Sequence, residues 1–268
     1  GSWGIRLEYI LRNVLISLQN QPNATLNDIA PLLLDVSFRE KCLGHITDKN
    51  LLRFWQKEFP KYGKADILPV LNKVGSFLSI PSIKRILVDN KKQLSLYQIM
   101  NEGKILLVNL SKGTLGADAS HLLGSLLLHS LSASGFYRVT VPEHKRKPFF
   151  IYLDEFHNFT TLALVNMFSE LRKFKIGFIL SHQFLNQLHA DIRNAVLGNI
   201  GSMITFRLGL SDAKTMAQEF YPVFTTEDFT SLAHYHIYLR LLINGKISKP
   251  FSATTIPSDC FNYNNRYL

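Results

Sequence analysis

Cysteine is nearly absent: Cys42 and Cys260 stand far apart with no C-x-x-C pair, which excludes a disulfide framework or zinc ribbon and fits a reducing compartment. No apolar run reaches the roughly 18 residues that span a bilayer, and no signal peptide opens the chain. The expectation is therefore a cytoplasmic chain. The sequons at Asn23 and Asn158 then carry no weight, and Gly1-Ser2 read as an expression remnant on a segment of a longer protein. Charge is sparse at 19%, which suggests that something else covers part of the surface. The phosphate-cradling pattern G-x-x-x-x-G-K-[ST] is missing altogether. Gly63-Lys64, Gly103-Lys104 and Gly245-Lys246 are followed by Ala65, Ile105 and Ile247. Ser111-Lys112-Gly113-Thr114 lacks the spaced glycines that let successive amides wrap a phosphate.

Basic residues are plentiful, 30 Lys and Arg against 20 Asp and Glu, for a net charge of +10. Residues 1–147 hold 20 basic and 11 acidic side chains, whereas residues 148–268 hold 10 and 9. A basic first half beside a neutral second half points to a polyanionic partner for the first. Lys84, Arg85, Lys91 and Lys92 are its candidate contacts, although such a cluster is also what a solvated helix face looks like.

The first hundred residues read as short helices broken by turns, an all-helical lobe over residues 3–100. Ile5, Tyr9, Ile10, Val14 and Leu18 recur at helical spacing, and Ser37 with Glu40 has capping-box spacing. A helix is expected from Asp48 to Phe59, stopping before Pro60. Another, from Ile67 to Leu78, precedes Pro81, which suits a helix first turn. From residue 101 to 268 the grammar changes. Strands are expected at Lys104–Leu110, Phe149–Leu153, Gly177–Leu180 and Ser202–Leu208. Helices are expected at Asp118–Ser134, Leu164–Phe174, Asp191–Leu197 and Asp212–Phe220. Strand and helix in alternation predict an α/β fold with a mostly parallel sheet flanked by helices. His236–Ile243 and Ile247–Ser252 flank Asn244-Gly245, a C-terminal β-hairpin signal.

In such sheets ligands bind beyond the carboxyl ends of the strands. That rule selects Asp154-Glu155, two acids at the tip of an apolar strand, in the manner of a Walker B element. The first can hold the hydration shell of Mg²⁺ and the second can deprotonate an attacking water. The bland alternative is a solvated strand end, with Asp154 capping a turn. The next strand runs into Ser181-His182-Gln183, where Gln183 is placed to meet a terminal phosphate or its attacking water. His182 reads as a packed or solvated ring, and His234 and His236 as structural, since no third ligand has a supporting spacing.

Four blocks, KILLVNLSKG, FFIYLDEFHNF, SELRKFKIGFILSHQFLNQL and GNIGSMITFRLGLSDA, resemble successive motifs of the type IV secretion and conjugation coupling proteins (TraG/TraD-like). These belong to the FtsK/HerA class of RecA-fold ATPases. The resemblance covers roughly residues 104–254 and implies a RecA-like domain with a helical lobe inserted after its Walker A segment. Walker A itself would lie upstream of Trp3. It also implies ATP and Mg²⁺ as cofactors of the full-length protein, DNA as substrate, and a homo-oligomeric, hexameric ring. Relaxase or secretion-channel proteins would be further partners. Arg207 falls in the block where such rings expose an arginine to the neighbouring subunit, and its alternative role is a pair with Asp212. Three readings result: the Walker B portion of a DNA-translocating ATPase, inactive alone without its P-loop segment; a non-hydrolysing docking module of a transfer machine; or a purely structural helical and α/β protein with no nucleotide.

Overall fold

The computed structural model describes residues 4–89, 94–160 and 167–257. The chain divides into two compact units, one holding residues 1–95 and 106–126 and the other residues 96–105 and 127–268.

The first unit is helical. Its helices are α1 (Ile5–Gln19), α2 (Ile29–Leu34), α3 (Val36–Leu43), α4 (Lys49–Arg53), α5 (Lys64–Leu78) and α6 (Pro81–Leu87). Ile10, Val14, Leu32, Phe54, Trp55 and Val70 form its core, and the buried Trp55 indole donates to Ser17 Oγ at 2.7 Å. The α3 cap is Asp35, whose carboxylate accepts from Ser37 N and Phe38 N, and not the expected Ser37. The helix expected to stop before Pro60 instead continues from α4 as a π turn, Phe54–Glu58, and a 3₁₀ turn, Phe59–Lys61. Pro60 is tolerated there because a first-turn N–H has no intrahelical partner to lose. Pro81 opens α6 as expected. Past α7 (Leu96–Glu102) and α8 (Lys112–Leu115), α9 (Ala117–Tyr137), of which residues 117–126 belong to this unit, contains the expected Asp118–Ser134. Its Ala119 and Leu123 pack on Ile83.

The second unit is mixed α/β. Strand β1 (Phe149–Leu153) pairs in parallel with β2 (Ile176–Leu180). Strands β3 (Met203–Thr205), β4 (His236–Arg240) and β7 (Phe251–Thr254) form an antiparallel sheet. The short strands β5 (Leu242–Ile243) and β6 (Lys246–Ile247) flank Asn244 and Gly245, both with positive φ, as a tight hairpin requires. Helices α10 (Ala190–Asn199), α11 (Leu210–Glu219) and α12 (Thr226–Ser231) bury Ile192, Val196, Met216, Phe220 and Phe229 against Met203, Leu153 and Leu180. One face of β1 and β2 thus looks onto the core. The other exposes Phe150, Tyr152 and Ile179, and Gly177 lets the Phe150 ring approach, since a Cβ there would stand 2.9 Å from it.

Two expected strands differ. Lys104–Leu110 forms no ladder with any described residue and exposes Ile105 and Leu107 almost fully. The apolar run there promises a strand, but a strand exists only where a neighbour takes its N–H and C=O groups. Ser202–Leu208 shortens to β3, whose only pairing among the described residues is with β4. In the expected helix Leu164–Phe174, residues 164–166 lie outside the described residues, and Leu171–Phe174 is a 3₁₀ turn.

Arg138 stabilises the parallel pair. Its guanidinium is fully buried, has no carboxylate partner among the described residues, and donates to Phe174 O, Lys147 O and Asn101 Oδ1. Burial pulls its pKa below the ordinary arginine value, and the three acceptors replace the lost hydration. Among the described residues, no helix is long and apolar enough to cross a membrane.

Candidate functional site

Parallel register from Phe149↔Ile176 to Leu153↔Leu180 brings the carboxyl ends of β1 and β2 side by side. The ladder continues one step, with Ser181 N donating to Leu153 O at 3.0 Å and Phe156 N to Ser181 O at 3.1 Å. Between those bonds the chain loops beyond the sheet, carrying Asp154 and Glu155. Phe156, almost wholly buried, anchors the return to the core. Glu155 takes the left-handed conformation, φ 47° and ψ 46°, which costs a non-glycine residue about 1–2 kcal/mol.

The two carboxylates have different surroundings. Asp154 Oδ1 accepts from Ser181 Oγ at 2.6 Å and from Glu155 N at 3.0 Å. Its second oxygen makes no hydrogen bond among the described residues. Glu155 Oε1 accepts from Gln183 Nε2 at 2.6 Å, across the strand pair. Glu155 Oε2 lies 3.3 Å from His157 Nδ1, and both atoms are buried without a hydrogen-bond partner. The His182 ring stacks edge-on against Phe156 at 5.0 Å, and burial pulls its pKa below the ordinary histidine value, against the opposing charge of Asp212.

Asp154, Glu155 and Gln183 therefore form one constellation. Arg207 stands outside it, exposed on the connection between β3 and α11, with no ion pair among the described residues. The alternative Arg207–Asp212 pair does not form, because Asp212 is buried and accepts from Leu185 N at 2.9 Å. Lys84 and Arg85 are exposed on α6, in the helical unit; Lys91 and Lys92 lie outside the described residues. His157 and Ser181 escaped the assignment of roles from sequence. His157 follows Glu155 by two positions, so the D-E-x-H spacing was the available signal.

A hydrated Mg²⁺ is usually held by one or two carboxylates plus substrate phosphates, and Asp154 with one open oxygen fits that demand. No group of three or more His, Cys, Asp or Glu among the described residues could hold a metal by itself. The triphosphate is different: no run of glycine amides among the described residues cradles one, so the donor set fits the ion and the water but not the phosphates.

No protein-family model and no curated protein matches the chain. Among solved structures it is similar to the plasmid coupling protein TrwB in complex with the non-hydrolysable GTP analogue GDPNP. The TM-score is 0.64 at 14% identity, covering 93% of this chain and 62% of that one. The bacterial conjugative coupling protein TrwBdeltaN70 is similar in its unbound form, with a TM-score of 0.62 at 14% identity, covering 91% of this chain and 61% of that one. In its sulphate complex the values are 0.63, 15%, 90% and 61%. The chain thus spans about three-fifths of the length of these neighbours, and over that span it has their mixed α/β, RecA-like fold.

Proposed function

We propose that the chain is the Walker B portion of a coupling-protein-like ATPase that drives DNA or nucleoprotein translocation in conjugation or type IV secretion. The observation that carries this reading is the meeting of Asp154, Glu155 and Gln183 at adjacent tips of two parallel strands. Coupling-protein neighbours of the same fold, one of them bound to a GTP analogue, support it. ATP and Mg²⁺ are its cofactors, supplying the scissile phosphoanhydride and charge neutralisation. Asp154 orients the ion's water shell through its open oxygen. Glu155 takes the proton of the attacking water, and Gln183 holds that carboxylate in place. Arg207 reaches the site of a neighbouring subunit in a homo-oligomeric ring, hexameric by the family resemblance.

A P-loop segment upstream completes the phosphate site. Among the described residues the outer edges of β2 and β3 pair with no strand, and Ile105, Leu107 and Val108 are exposed; such additional chain would cover these surfaces. Lys84, Arg85, Lys91 and Lys92 contact DNA, with relaxase or secretion-channel proteins as further partners. The motor works in the cytoplasm, tethered to the inner membrane by a segment outside this sequence.

A second reading, a non-hydrolysing docking module, is favoured by the missing phosphate cradle. Ring complementation separates the two. Arg207→Ala subunits mixed with Glu155→Gln subunits regain DNA-stimulated ATP hydrolysis if Arg207 acts in trans, since some interfaces then hold both intact parts. Mixed rings that form but stay inactive remove Arg207 from the mechanism. A wild-type ring without hydrolysis leaves the docking module.

A further inference from the structure

The contact between His157 and Glu155 has no place in the roles just assigned. Both facing atoms, Nδ1 and Oε2, are buried and 3.3 Å apart, and as the ring stands neither makes a hydrogen bond among the described residues, to the other included. Buried polar atoms in native proteins are nearly always paired, so two orphans facing each other call for one shared proton. Neutral imidazole carries a single N–H on either nitrogen. On Nδ1 that hydrogen satisfies both orphans at once after a small turn of the ring toward Oε2. On Nε2 it leaves a bare nitrogen lone pair against a carboxylate oxygen.

The imidazole has little freedom to turn away. His157 sits in the 3₁₀ turn Phe156–Phe159, its side chain 18% exposed. Asn158 N donates to Glu155 O at 3.0 Å, and Thr160 Oγ1 donates to His157 O at 3.1 Å. The buried Phe156 fixes the turn from below. The other side of Glu155 is already held by Gln183 from β2.

We propose that His157, in its Nδ1–H tautomer, is a positioning residue that clamps Glu155 Oε2 while Gln183 clamps Oε1. The grip comes from two chain segments: Gln183 follows β2, and His157 follows β1. With both oxygens held, the carboxylate keeps one rotamer although its backbone is strained, and its basic lone pairs keep a fixed direction. The catalytic consequence rests on Glu155 acting as the base; the tautomer does not.

Two measurements test it. Long-range ¹H–¹⁵N spectra of this chain, in a buffer basic enough for neutral imidazole, report which His157 nitrogen carries the proton. Nδ1–H is expected, reverting to the Nε2–H form common in free histidine when Glu155→Ala removes the acceptor. Nε2–H in the wild-type chain overturns the proposal, whatever the ring does with ATP. In the complete, nucleotide-competent protein, His157→Ala lowers kcat about tenfold with KM unchanged, the size of one lost hydrogen bond. His157→Asn, whose Nδ2–H replaces Nδ1–H at the same distance from Cβ, restores most of it, and His157→Gln, whose donor sits one atom farther out, does not. Equal activity of the Ala and Asn variants also overturns the clamp. A wild-type protein that hydrolyses nothing refutes Glu155 as base, and the tautomer still decides the clamp.

Discussion

Replacing Arg138 by methionine tests whether the parallel strand pair is held from its amino ends. The guanidinium joins Lys147, just before β1, to Phe174, just before β2, through bonds of 2.5 and 2.9 Å to their carbonyls. Methionine fills much of the volume but leaves Phe174 O buried without a donor, which costs about 1–3 kcal/mol. Lys147 O and Asn101 Oδ1 are partly buried, and water recovers part of their loss. Removing a buried cation returns some desolvation energy and offsets part of the total. The expected net loss is about 2–4 kcal/mol of unfolding free energy. Arg146→Met is the control: its guanidinium also bonds two carbonyls, Val141 O and Lys173 O, but the Lys173 contact is exposed. It should cost under about 1 kcal/mol. Urea unfolding followed by far-UV circular dichroism reads both. A loss below about 0.5 kcal/mol for Arg138→Met, or equal losses for the two variants, would refute the reasoning.

DNA binding by the complete protein should weaken steeply as salt rises, because neutralised phosphates release counterions. Reversing the charges of Lys84, Arg85, Lys91 and Lys92 should flatten that slope, and an unchanged slope removes them from the interface. Burial lowers the His182 pKa, so below about pH 6.5 the unfolded chain binds a proton that the folded chain resists. Melting temperature should therefore fall on acidification below that pH, and His182→Phe should reduce the fall; the same acid slope in the variant contradicts this. Calorimetry should detect no micromolar Mg-ATP binding to this chain alone, since Asp154 and Glu155 cannot replace cradle amides and a lysine.

The strand carrying the acids was legible to the residue, because Phe149–Leu153 is an apolar run bounded by Pro148 and Asp154. Asn244-Gly245 likewise announced its hairpin through local backbone chemistry alone. Lys104–Leu110 was misread because a ladder partner is a non-local property that no apolar run encodes. Asp35 took the cap from Ser37 because its carboxylate reaches two amides at once. At the site, the acids and Gln183 stood out by position at strand tips. Their contact depends on the β1–β2 register, and the facing of His157 and Glu155 depends on a left-handed backbone that the sequence does not advertise.

The most direct test of the ATPase reading is Glu155→Gln in the complete protein. The substitution keeps the side chain's shape and removes the base. Nucleotide affinity should stay within about twofold of wild type while turnover falls by at least about 10²-fold. Turnover at the wild-type rate would contradict the assignment of Glu155, and with it the claim that this strand tip is where hydrolysis occurs.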